Sequence, residues 1–308
     1  MKDLQASIDT IVEEMGALKE HGKSASYIPK LGQADPDAFG IAVVTADGEI
    51  AAGGDADTAF SLQSISKAFA LILALERHGD KVWKRVGREP SGDPFNSIMD
   101  LERHKGVPRN PFINAGALVV VDMLMEAGVK KGVPGTVRDL LVTLVGEDKI
   151  DIDEEIYNSE AGSAHTNQAI ANFAKSFDNL HHEVDAVIEA YTKQCALALS
   201  CRQLAKAGTI LTHGGKHPVS GHTLKTRAHA RRVLSLMLTC GQYDGAGEFA
   251  YRVGLPAKSG VSGGIMAIVP DVASIVVWSP GLDAAGNSLR GTAALERLSE
   301  RMRWSVFD

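Results

Sequence analysis

FSLQSISKAFALILALERHGD, running from Phe60 to Asp80, is the stretch around which the rest of the chain is organised. Ser61, Gln63 and Ser64 precede a continuously apolar run from Ala68 to Leu75, and His78, Gly79 and Asp80 supply a stop with a glycine cap. A helix apolar on every side is a buried helix. Ser64 and Lys67, three apart, share a face at its first turn. A lysine at the head of a buried helix is costly unless it is paired or gives up its proton easily. A hydroxyl beside such an amine is what nucleophilic acyl transfer needs. The spacing alone is weak, because a capping serine and a snorkelling lysine use the same letters.

Composition narrows the classes. At 308 residues, with 44% hydrophobic and 23% charged residues, the chain has ample core for one large domain or two small ones. A net charge of −6 with scattered basic residues argues against a nucleic-acid partner; only RAHARR at 227–232 is a basic cluster, and it suits a solvated helix face. The opening MKDLQASIDTIVEEM is an acidic amphipathic pattern rather than a signal peptide, and no apolar run nears the ~20 residues that span a membrane. Cys195, Cys201 and Cys240 fit free, buried thiols in a reducing cytoplasm.

Outward from the central stretch, residues 3–20 read as a helix closed by His21-Gly22, and a Pro29 loop carries Tyr27. FGIAVVTADGEIAAGG reads as a hairpin about Asp47-Gly48. Residues 81–114 are loop-rich, yet Phe95, Ile98, Phe112 and Ile113 argue that they pack. Asn114 opens an apolar helix to about Ala127. Residues 135–225 look all-helical, with EVDAVIEAYTKQCALALSCRQLAKAGTIL showing one 3.6-residue period and IYNSEAGSAHTN a polar interruption. PAKSGVSGGIMAIVP and ASIVVWSP flank a Pro270-Asp271 turn before a last helix. The expectation is an α/β (α+β type) domain: a lobe of about 1–75 and 226–308 with an antiparallel sheet and terminal helices, and an inserted helical lobe of about 76–225. The cleft would lie between them.

The Lys258-Ser259-Gly260 triplet at a strand margin joins Ser64-x-x-Lys67 in the layout of serine acyl-transferases of the penicillin-recognising type. SYIP, FSLQSISK, EPSGDPFNS, NPFINAGA, the Ser159-Glu160 to Asn167 and Tyr191 to Cys195 spacings, and GLPAKSGVSGG after Gly241-Gln242-Tyr243-Asp244 go further. Over nearly its whole length the chain resembles the bacterial glutaminases, a serine-dependent family of β-lactamase/transpeptidase-like fold. The resemblance implies hydrolysis of the side-chain amide of L-glutamine through a Ser64 glutamyl ester, with Lys67 as activator and Tyr27 and Tyr243 near enough to pass protons. It places Gln63, Asn114, Glu160, Asn167, Tyr191, Tyr243 and Val261 around the bound amino acid, with the Ser64 and Val261 N–H groups as oxyanion hole. It implies no cofactor or metal, no membrane or nucleic-acid partner, and a homodimer or homotetramer. Thr166 stands where the family commonly has arginine and Ala196 where it has serine, and neither is expected in the site. His181-His182-Glu183 lacks a third ligand in the sequence, and THGGKH suits a polar loop. A β-lactamase-type hydrolase and a silent glutamine sensor are the competing readings.

Overall fold

The computed structural model describes residues 4–92, 96–147 and 149–308. The FGIAVVT text pairs as expected: β1 (Gly40–Thr45) and β2 (Ile50–Gly54) run antiparallel, with Gly48 at φ 91° in the turn. β3 (Phe60–Ser61) and β4 (Ala198–Leu199) form a separate two-stranded ladder. β5 (Ala257–Ser259), β6 (Gly264–Val269) and β7 (Ala273–Trp278) complete an antiparallel sheet ordered β2-β1-β7-β6-β5. Asp271, at φ 61°, makes the expected β6–β7 turn. Every residue of β1, β6 and β7 is buried, so these strands are covered on both faces.

Helix α1 (Leu4–Ala17) and the C-terminal helix Leu289–Met302 cover one face, packing Ile8, Ile11, Met15, Leu295 and Leu298 onto Ile41, Val43, Ile275 and Val277. α1 ends three residues before the expected Glu20, and its expected start at Asp3 lies outside the described residues. Gly16 and the exposed Lys19 and Glu20 bury nothing that would hold another turn.

The buried helix is α2 (Ser66–His78), with Ser66 to Ile72 all buried. Gly79 ends it at φ 54°, but its ψ of −137° lies outside the left-handed helical region expected of the cap. The loop-rich region holds two short helices, α3 (Val82–Arg85) and α4 (Met99–Arg103). Phe112 and Ile113 are buried, Ile98 is exposed, and Phe95 lies outside the described residues. α5 (Asn114–Glu126), α6 (Gly132–Val145), α7 (Glu154–Ala161), α8 (His165–Ser176) and α9 (Val184–Cys195) follow. The polar IYNSEAGSAHTN segment is therefore mostly the end of α7 and the start of α8, not a loop.

The long period from Glu183 to Leu211 is not one helix. After α9 the chain forms β4, and Ser200 opens α10 (Cys201–Thr212) with a capping box to Gln203. α10, although within the segment expected in the helical lobe, lies on the second face of the sheet. Gly208 permits the approach: a Cβ there would sit 2.2 Å from Ser274 Oγ. A 3.6-residue period shows that a helix has an apolar face but not what that face meets. α11 (Arg227–Cys240) and α12 (Ala246–Arg252) lead into β5, and α13 is the Leu289–Met302 helix. Among the described residues no helix is long and apolar enough to cross a membrane.

Candidate active site

The β3–β4 ladder delivers the chain to the site, reinforced by the Leu62 N–H on Leu197 O at 2.8 Å. Ser64 lies not in the first turn of α2 but in a 3₁₀ turn, Gln63–Ile65, just before it. Gln63 has φ 47°, a left-handed conformation that costs a non-glycine residue on the order of 1–3 kcal/mol. Such strain persists only where surrounding contacts over-determine it. Here it turns Ser64 out of the strand direction and toward a cavity of about 170 Å³. That is small beside the ~300–1,000 Å³ of a drug-sized site and suits a compact metabolite.

Ser64 and Gln63 line this cavity with Asn114, Glu160, Asn167 and Tyr191, brought from α5, α7, α8 and α9. Val261 closes it from the β5–β6 turn, and Tyr27 stands at the rim, 58% exposed. The approach of Val261 depends on Gly260, where a Cβ would meet Leu62 O at 2.6 Å. Asn96, Ser163 and Thr166 also line the cavity. Thr166 is thus part of the site's wall, contrary to the sequence expectation, whereas Ala196 is fully buried at the end of α9. Asn96 and Ser163 carry no local signal that separates them from other polar loop or helix-end residues.

Lys67 is 2% exposed and lies behind the cavity wall. Its Nζ donates to Phe112 O at 3.1 Å and to Asn114 Oδ1 at 2.7 Å, both neutral acceptors. Burial pushes its ammonium down to about 8, and the Glu160 carboxylate opposes part of that shift. Asn114 is thereby oriented: its Oδ1 is taken by Lys67 and, at 3.4 Å, by the Tyr191 hydroxyl, while its Nδ2 donates to Asn167 Oδ1 at 2.9 Å. Glu160 is buried rather than a solvated charge. Burial pushes its carboxyl up to about 7, against the Gln63 amide that donates to Oε2 at 3.1 Å and the charge of Lys67.

Tyr243 belongs to a neighbouring cavity by its ring but reaches the site by its hydroxyl, which donates to Ser259 O at 3.2 Å and is hydrogen-bonded to Ser64. Burial pushes that hydroxyl up to about 12, the bonds to Ser64 and Ser259 offsetting part of the shift. Like Gln63, Tyr243 has a positive φ, 52°. Lys258 is not a cleft-lining cation: it is fully buried, its Nζ donating to Gly241 O and Ser259 O at 3.0 and 2.7 Å and lying 4.5 Å from the Tyr243 ring centroid. Burial, seconded by Lys67, holds its ammonium well below the usual range.

Away from the site, His181 does find convergent ligands. Asp122, Glu126 and His181 bring ligand atoms together, which their sequence positions did not reveal. The Arg85 guanidinium already sits there, 2.6 Å from Asp122 and 2.8 Å from Glu126, so the cluster is an ion-pair network joining α3, α5 and the α8–α9 loop.

A family profile described as glutaminase matches residues 22–307. The chain belongs to the glutaminase family. A glutaminase of Methylorubrum populi is 53% identical over 307 residues, covering 100% of this chain and 99% of the relative. A solved structure of a probable glutaminase, ybaS, superposes with TM-score 0.92 at 34% identity, covering 99% of this chain and 98% of that one. A probable glutaminase from Bacillus subtilis, complexed with 6-diazo-5-oxo-L-norleucine, superposes with TM-score 0.88 at 34% identity over 100% of this chain and 98% of its own. The fold is the β-lactamase-like fold of this family. The reaction is hydrolysis of the side-chain amide of L-glutamine to L-glutamate and ammonia.

Proposed function

We propose that glutaminase hydrolysis in this chain proceeds by acyl transfer to Ser64. The observation that carries it is a buried amine, Lys67, three residues from a serine that the strained Gln63 turns onto a polar cavity; burial pushes that amine down to about 8. At pH 7 roughly one such amine in ten is free. Lys67, directly or through the Tyr243 hydroxyl on Ser64, takes the serine proton as Oγ attacks the amide carbon. The negative oxygen is held by the backbone N–H groups of Ser64 and Val261. The Val261 N–H has no acceptor among the described hydrogen bonds, which leaves it available. The tetrahedral intermediate collapses with cleavage of the C–N bond, the nitrogen leaves protonated as ammonia, and water then cleaves the glutamyl ester.

Glu160 pairs with the substrate ammonium, whose charge draws its raised carboxyl back to the anion. Asn114, Asn167, Tyr191 and Gln63 supply neutral hydrogen bonds to the remaining polar groups. Tyr27 at the rim and Tyr243 behind it flank the path of protons. The site lies where the Ser64 segment meets the helices of the inserted lobe, about 76–225. The homodimer or homotetramer and the cytoplasmic location expected from the sequence are kept as part of this proposal; light scattering and cell fractionation test them.

Ser64→Ala tests the nucleophile. It is expected to lower turnover by several orders of magnitude while a melt stays cooperative. Near-normal glutamate release would remove Ser64 from the mechanism.

A further inference from the structure

Ser66 lies one position beyond the turn and takes no part in the reaction just described. It is fully buried, and its Oγ donates to the carbonyl oxygen of Gln63 at 2.7 Å. The same Oγ accepts from Gln194 Nε2 at 3.1 Å. Gln194 is fully buried too, in α9, three residues after Tyr191 and so on the same side of that helix. A relay therefore runs from the helix that carries Tyr191, through two buried side chains, to the backbone at the strained residue.

The carbonyl at the end of this relay belongs to the same peptide unit as the Ser64 N–H. A trans peptide is planar, with its C=O and N–H pointing in opposite directions. The Gln63 oxygen also accepts from the Ser66 backbone N–H that closes the 3₁₀ turn, so the Ser66 hydroxyl is a second donor that narrows the direction of this carbonyl and with it that of the Ser64 N–H. Gln63 is at φ 47°, where a non-glycine backbone does not stay without outside restraint. The Gln63 side chain is separately tied to Glu160, so both ends of that residue are held.

We propose that Ser66, held by Gln194, is a positioning residue that aims the Ser64 N–H at the oxyanion. The proposal rests on the acyl-transfer reading above, in which that N–H stabilises the tetrahedral intermediate. Its consequence is specific to the transition state: substrate binding through Glu160, Asn114 and Tyr191 is untouched, so kcat falls and KM does not. Removing one oxyanion donor outright costs about 10²–10³ in kcat, so misaiming one is expected to cost roughly tenfold to a hundredfold.

The test compares Ser66→Ala, Ser66→Thr and Gln194→Leu with the parent enzyme in glutamine kinetics, with Ser64→Ala alongside. The expected result is a tenfold or greater loss of kcat in Ser66→Ala at a KM within twofold. Ser66→Thr, which keeps the hydroxyl, retains kcat within about threefold, and Gln194→Leu falls between. An unchanged kcat in Ser66→Ala overturns the proposal, as does an equal loss in Ser66→Ala and Ser66→Thr, which marks a packing role. Should Ser66→Ala fail to fold, Gln194→Leu decides: a lower kcat at constant KM supports the relay and an unchanged kcat overturns it. Retained activity in Ser64→Ala identifies instead a failure of the acyl-transfer mechanism itself.

Discussion

Lowering the pH from 9 to 6 perturbs two groups of the site in the same direction. In the acyl-transfer mechanism proposed above Lys67 must be neutral to accept the serine proton, and burial to about 8 leaves half the molecules active at pH 8 and about one in ten at pH 7. At its ordinary 10.5 the free fraction at pH 7 would be roughly three in ten thousand. Burial thus supplies about 300-fold more free amine at pH 7, equivalent to about 3 kcal/mol, at a residue only 2% exposed. Glu160, raised by burial to about 7, adds a second requirement under the same proposal: below that value it is protonated and would no longer pair with the substrate ammonium. Since kcat/KM reports groups of the free enzyme, it is expected to rise with a slope near two below about pH 6.5 and near one between 7 and 8. It then passes through a maximum and falls as the α-ammonium of the free substrate, which must be charged to pair with Glu160, loses its proton; the rise from pH 6 to the maximum is roughly several hundredfold. Initial rates of glutamate release in a constant-ionic-strength buffer series measure this, with a melt at each pH to confirm folding. A kcat/KM flat within threefold over that range would refute the reasoning. So would a limb still climbing past pH 10, the behaviour of an unperturbed lysine.

Two substitutions separate binding from chemistry. Glu160→Gln keeps the shape of the side chain but removes the charge opposite the ammonium; KM is expected to rise about 30- to 10³-fold, the ~2–4 kcal/mol of a desolvated charge pair, and the steeper acid limb of kcat/KM to disappear. A KM within threefold of the parent places the ammonium elsewhere. Gly260→Ala puts a Cβ 2.6 Å from Leu62 O, so the turn carrying Val261 must shift; a loss of kcat of tenfold or more is expected, while Gly247→Ala, with nothing within 4 Å, leaves it unchanged. Equal kinetics in the two variants would disconnect the β5–β6 turn from catalysis.

What the sequence made legible is what depends on local pattern. The buried α2, the two hairpins and the terminal helices follow from apolar periodicity and from Asp-Gly and Pro-Asp turns. The strain at Gln63 and the withdrawal of Ser64 into a separate turn leave no such mark, because Gln63 is not a residue type associated with positive φ. Glu160 looks solvated in its polar text and is buried only because α7, α8 and α9 pack together. Asn114, Asn167 and Tyr191 arrive on three helices and stand out by family resemblance, not by spacing. The pairing of Lys258 with Gly241 O, and of Arg85 with Asp122 and Glu126, likewise depends on neighbours remote in the chain. The break between α9 and α10 was marked, by Ser200 with Gln203 three residues on, but the surrounding apolar period masks it.

The central claim is that Ser64 Oγ is the atom that bonds to the substrate carbon. 6-Diazo-5-oxo-L-norleucine, the compound complexed with the Bacillus subtilis relative, has a glutamine-like backbone and an electrophilic end, and peptide mapping by mass spectrometry locates where it attaches. The expected result is one adduct per chain on Ser64, suppressed by excess L-glutamine and lost in Ser64→Ala. Inactivation with the adduct on any other residue, or with Ser64 unmodified, would contradict it.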